Sequence, residues 1–203
     1  MKKVLLGISG GNSFCDDLQM QKYYQSFDIE YVHTDKYWMD WLLWSFENVF
    51  DVAKVKMPGV DHAQYSIWKI VFEKYIEKYK NRNIDIVAHS LGTTFILKYL
   101  VENEIVIQNL HLIAPFVSDD FQPKDFNEST GTFTFDYSAV HTIADKCKNI
   151  FVWYSDNDPV CTERNAIYLH QKLPNSKISV IAEREHFNQS TFWELFEQIK
   201  SDI

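Results

Sequence analysis

Apolar and polar positions along the chain fall into two alternating patterns. Short runs of β-prone apolar residues occupy 4–8, 52–56, 84–88, 110–114, 150–154 and 177–181, and their length and composition predict strands. Between them, residues 38–50, 65–80, 93–102, 137–146 and 163–173 carry apolar side chains three and four positions apart, the spacing that lines one buried helix face. A last amphipathic helix runs through Ile199. Thr191 followed three residues later by Glu194 forms a capping box that would satisfy free N–H groups at its start. Residues 15–33 show no decisive pattern, and 29–33 reads either as an extra strand or as an ordered loop.

Strand and helix in alternation predict an α/β fold: a mainly parallel sheet with helices on both faces, because parallel neighbours need crossover connections. In such sheets, sites form beyond the carboxyl ends of strands. No repeat, linker or low-complexity stretch divides the chain, so its 203 residues are expected to form one domain, 1–203.

Composition narrows the function classes. Apolar residues at 46% and aromatics at 16% suffice for a packed core. A net charge of −8 opposes polyphosphate binding, so nucleic acid is not expected as a partner. Three distant cysteines, Cys15, Cys147 and Cys161, offer neither a disulfide framework nor a metal knuckle, which points to a reducing compartment. The apolar run at 4–8 is too short for a signal-peptide core or a membrane span, and a cytoplasmic protein without membrane partners is the expectation.

Candidate chemistry begins where the strand at 84–88 runs into His89-Ser90-Leu91-Gly92 and a helix follows. A tight strand-to-helix turn lifts a serine hydroxyl above the sheet, requires small residues two positions to either side, and leaves helix N–H groups facing a developing oxyanion. Ala88 and Gly92 meet that demand. The plainer alternative is a serine that caps an ordinary helix.

Partners decide between the two. In α/β-hydrolases an acid and a histidine follow the serine in that order, each after a later strand. Asp158, held out of helical geometry by Pro159, follows the strand at 150–154, and His186 follows the strand at 177–181. Asp156 competes as the acid, with turn formation as its ordinary role. His89 is expected to point away from the site. His111, His141 and His170 fall on strand or helix positions, where a satisfied or solvated side chain is expected, whereas His33 and His62 lie in segments that the pattern leaves open.

With these residues in place, the chain resembles the small serine hydrolases typified by the retinoblastoma-binding hydrolase, a lid-poor branch of the α/β-hydrolases. The likeness rests on Trp38 and Trp41, Met57-Pro58 with Ala63 and Trp68, His89-Ser90, Asp158-Pro159, and His186-Phe187 before the final helix. There are departures: Ala88 replaces a usual glycine, Glu185 replaces the glycine common before the histidine, and Thr162 stands where relatives often carry proline. The stretch from Asn12 to Trp38 is also longer than expected.

The residues together imply acyl transfer to water, with Ser90 as nucleophile, His186 as base and Asp158 as its orienting carboxylate. Oxyanion donors are expected from the backbone N–H groups of Leu91 and Gly11. Ser9-Gly10-Gly11-Asn12 lacks the spacing of a phosphate-binding loop. The chemistry requires no metal or organic cofactor. Residues 115–135 are too few for an independent lid, and Phe116, Phe121, Phe126, Phe133 and Phe135 form either a partial hydrophobic cover or a surface loop pinned to the core. Small or medium acyl substrates, esters or amides, are expected. The rival functions are a non-catalytic interaction module on the same fold and a thiol enzyme using Cys161, which lacks activation at a helix start.

Overall fold

The computed structural model describes residues 2–26, 37–122 and 128–203. Six strands, β1 (Lys3–Ile8), β2 (Phe50–Lys54), β3 (Ile84–His89), β4 (Ile107–Ile113), β5 (Cys147–Ser155) and β6 (Lys177–Ile181), pair in the order β2-β1-β3-β4-β5-β6. Every pairing is parallel. β1, β3 and β4 are buried almost throughout, as strands covered on both faces must be, while the edge strands β2 and β6 are half exposed. A polar ladder pins the register within this apolar layer. Asn109 Nδ2 donates to Asp85 Oδ2 at 3.1 Å and Asn149 Nδ2 donates to Asn109 Oδ1 at 2.8 Å, across residues paired on β3, β4 and β5. A one-residue slip would break both bonds.

Around the sheet lie α1 (Asp17–Ser26), α2 (Trp38–Ser45), α3 (Tyr65–Lys78), α4 (Leu91–Glu102), α5 (Glu163–Lys172) and α6 (Trp193–Ser201). From β1 the chain steps outward to β2, then back past β1 to β3, and thereafter moves in one direction. Right-handed crossovers therefore put α2 on the face opposite α3, α4 and α5. α6 joins α2 through the Trp41–Trp193 edge contact and the Phe46–Phe196 stack; α3 joins α4 through Trp68, Phe72 and Phe95. The reversal between β1 and β3 opens a crevice beyond their carboxyl ends, which is where α/β sheets bind ligands.

Three local expectations are corrected. The first helix of the pattern stops at Ser45 rather than residue 50, because Phe50 already opens β2, and that strand closes at Lys54. Residues Tyr137–Asp145 form a 3-10 helix: Tyr137, Val140 and Ile143 recur every third residue, which matches three residues per turn. The capping box at Thr191 is absent, since α6 starts after Phe192 and has no side-chain cap. Phe192 is fixed between Trp38, Trp153 and Phe187, and Glu194 turns instead to Arg184, 2.8 Å away. Where the pattern left the chain open, α1 occupies part of the stretch and buries none of its residues; the strand-or-loop choice at 29–33 lies outside the described residues.

In the 115–135 stretch, Phe116 and Phe133 are buried, and Phe133 packs on Tyr65, Trp68 and Phe95. Phe121 rests on Tyr168. These aromatics pin the segment to the core, and Phe126 lies outside the described residues. Among those residues no helix is long and apolar enough to cross a membrane.

Candidate active site

The turn from β3 into α4 holds Ser90 at φ 55° and ψ −128°, a conformation that an L residue adopts only under constraint. Its N–H donates to the Ile113 carbonyl at 3.0 Å and its carbonyl accepts from the Thr93 N–H at 2.8 Å, so neighbouring structure enforces the turn. Space is equally tight. A Cβ on Gly92 would stand 2.8 Å from the Ile8 and Ser9 carbonyl oxygens, and one on Gly10 would stand 2.8 Å from Ser90 Cβ. The sequence pattern points to Gly92 but not to Gly10, whose requirement arises from a segment eighty positions away.

Asp158 follows β5 and has a side chain only 1% exposed. Its Oδ1 accepts the N–H groups of Val160 and Cys161 at 2.8 and 2.9 Å, and its Oδ2 faces His186 Nδ1 at 2.9 Å. His186 comes from the loop between β6 and α6. Asp156, the competing acid, serves elsewhere, and its Oδ1 accepts the Glu183 N–H at 2.9 Å. Ser155 Oγ and Asn157 Oδ1 likewise accept the N–H groups of Arg184 and Glu185, at 3.0 and 2.8 Å. Three consecutive side chains at the end of β5 and just beyond it thus hold the backbone that carries the imidazole. By sequence Asp156 reads as a turn former, since nothing local reveals an acceptor for a distant loop.

Ser90 and His186 line one cleft of about 570 Å³ with Ser9, Gly10, Gly11, Asn12 and Glu128 among its walls. No hydrogen bond joins the Ser90 hydroxyl to His186 among the described residues; the Cys161 thiol lies near that hydroxyl. Burial, with the nearby Asp158 charge, pushes that thiol well above its ordinary range, which leaves Cys161 a poor nucleophile. Leu91 opens α4, so its N–H lacks an intrahelical acceptor. Gly11 lines the cleft. Its loop is tied to 58–68: Asn12 N–H donates to the Val60 carbonyl at 2.7 Å, Ala63 N–H donates to the Asn12 carbonyl at 2.8 Å, and Trp68 Nε1 donates to the Pro58 carbonyl at 2.9 Å. The Met57-Pro58 to Trp68 pattern is therefore a brace for the loop after β1.

His89 corrects its expectation. It faces the site, its ring centroid 4.8 Å from that of His186, and Nε2 donates to the His186 carbonyl at 3.0 Å. A carbonyl only accepts, so Nε2 carries the proton and Nδ1 accepts the short hydrogen bond from the Tyr37 hydroxyl. Burial drives the His89 imidazole well below its usual range and Tyr37 above its own, which keeps both neutral. Glu128, also unforeseen, presents to the cleft a carboxyl that burial pushes up to about 7.

Known structures share this architecture. The ydeN gene product of B. subtilis superposes with a TM-score of 0.74 at 17% identity, covering 98% of both chains. A lipase-esterase related protein of Clostridium acetobutylicum gives 0.68 at 10% identity, with 99% of this chain and 94% of that one covered. Est1E from Butyrivibrio proteoclasticus gives 0.63 at 13%, covering 99% and 86%. These likenesses show the α/β-hydrolase fold. No curated protein matches the sequence. Residues 31–202 match the family described as Serine hydrolase.

Proposed function

The chain belongs to the serine hydrolase family, and on that premise we propose that it cleaves small or medium acyl esters, with amides as the second class. Ser90 Oγ attacks the acyl carbon while His186 takes its proton; the bond to the leaving group breaks, and that group receives the proton. Water, activated by the same imidazole, then releases the acid and regenerates the serine. Asp158 fixes the tautomer and stabilises the imidazolium, and the Leu91 and Gly11 amides bind the oxyanion. What supports the reading is an Asp158–His186 pair at 2.9 Å opening onto the same cleft as a serine held at φ 55°. The missing Ser90–His186 bond is compatible with it, because such bonds often tighten only when substrate arrives. The narrower kinship with the retinoblastoma-binding hydrolase, a single domain and a cytoplasmic setting belong to the same proposal.

The test compares wild type with Ser90→Ala, using a fluorophosphonate probe and short-chain nitrophenyl esters. Wild type is expected to label and turn over, and Ser90→Ala to fall by about 10³-fold or more. Equal labelling of both proteins would overturn Ser90 as nucleophile. Labelling of neither would favour an interaction module that retains the fold.

A further inference from the structure

We propose that Asp158, Cys161 and His186 form a zinc site through which Zn²⁺ reversibly inhibits this protein. The three side chains each present one ligand atom, and these atoms lie within 4.8 Å of one another. Thiolate sulfur, imidazole nitrogen and carboxylate oxygen are the donors that zinc selects, whereas magnesium and calcium demand oxygen-only shells. Around a tetrahedral zinc, such donors stand about 3.3–3.7 Å apart, so the widest separation has to close by up to roughly 1 Å while the Asp158–His186 pair, now at 2.9 Å, opens slightly to admit the ion. Short side chains on one loop make that feasible: Asp158 and Cys161 are three residues apart, joined through the Cys161 N–H to Asp158 Oδ1 at 2.9 Å.

The fourth position is also furnished. The Ser90 hydroxyl lies near the Cys161 thiol and borders the cleft, so either that oxygen or a water from the cleft completes the tetrahedron. Binding sends the thiol proton to solvent, and the site tightens as pH rises. Acyl transfer has no use for the Cys161 sulfur, whereas zinc takes both the carboxylate and the imidazole. Occupancy therefore removes the base from Ser90. Inhibition rests on the hydrolase reading above; metal binding does not.

Zinc chloride would be titrated into wild type, Cys161→Ala and the bulkier Cys161→Val, which keeps the test available if the alanine variant folds poorly. Binding is read by equilibrium dialysis and inhibition by short-ester hydrolysis, with Co²⁺ substituted for zinc to report thiolate ligation through its sulfur-to-metal charge-transfer absorption. Wild type is expected to bind a single ion, lose activity and recover it with chelator. With each protein's activity referred to its own metal-free rate, the Cys161 variants should need at least tenfold more zinc for half-inhibition and lack the cobalt–thiolate band, which Cys15→Ala should retain. Equal zinc sensitivity in wild type and Cys161→Ala, or a band that survives in Cys161→Ala, would overturn the site. If wild type hydrolyses no ester, dialysis and the cobalt spectrum still decide the metal site, so the two failures are separable.

Discussion

Ser90 and Glu185 hold left-handed backbones at φ 55° and φ 49°, for different reasons. At Ser90 the angle is part of the turn that raises the hydroxyl over the sheet. Glu185 is exposed, and the bond it supplies, N–H to Asn157 Oδ1 at 2.8 Å, is a backbone bond that glycine would keep. Glu185→Gly is accordingly expected to stabilise the fold by about 1 kcal/mol, because it removes the penalty of a Cβ in the left-handed region. For a chain of this size that corresponds to a melting midpoint about 2–4 °C higher. A lower midpoint in a thermal scan would refute this account of the strain. The sequence already marked the position as one where glycine is usual; the sign of φ became visible only in the fold.

At the scale of elements, the loop between β6 and α6 is suspended from two sides. Ser155, Asp156 and Asn157 receive its N–H groups, and His89 donates to the carbonyl of His186 from the end of β3. His89 also reaches Tyr37 at the start of α2, so one neutral imidazole connects three segments around the cleft. In the proposed mechanism it is a positioning residue for His186. His89→Phe is predicted to lower kcat by about tenfold to a hundredfold with KM nearly unchanged, since misplacing a base by an ångström costs that order of rate. His89→Gln, which keeps a donor, should recover part of the loss. A KM effect alone in steady-state ester kinetics would argue against the positioning role.

Across the whole molecule, the price of so complete a core is neutral histidine. His111 stacks on Phe151 at 4.5 Å, and burial lowers its pKa from 6.5 to about 3. Among the described residues its Nδ1 has no hydrogen-bond partner, which corrects the expectation of a satisfied or solvated side chain. The unfolded chain takes up this proton below 6.5 and the native state only near 3, so stability is full above 6.5 and is lost as pH falls through that window. One such group accounts for about 2 kcal/mol between pH 6.5 and 5. Asp85 and Glu128, whose carboxyls burial raises, act in the opposite direction, so the comparison belongs between variants. His111→Gln should lose about 2 kcal/mol less than wild type on going from pH 7 to 5 in urea denaturation. An equal acid loss in both would exclude His111 as the source.

The amino-acid sequence by itself determined the alternation of strand and helix, the elbow around Ser90 and the order of serine, acid and histidine. These depend on periodicity and on turn sterics within a few residues, which local composition records. Only the tertiary structure decided that Gly10 faces Ser90, that His89 turns inward, that Asp156 supports a loop, and that Cys161 stands among the donors of the proposed triad. Each depends on which segments meet beyond the carboxyl ends of β1, β3, β5 and β6. Strand order and register set that meeting, and they minimise the energy of the whole sheet rather than of any one stretch of chain.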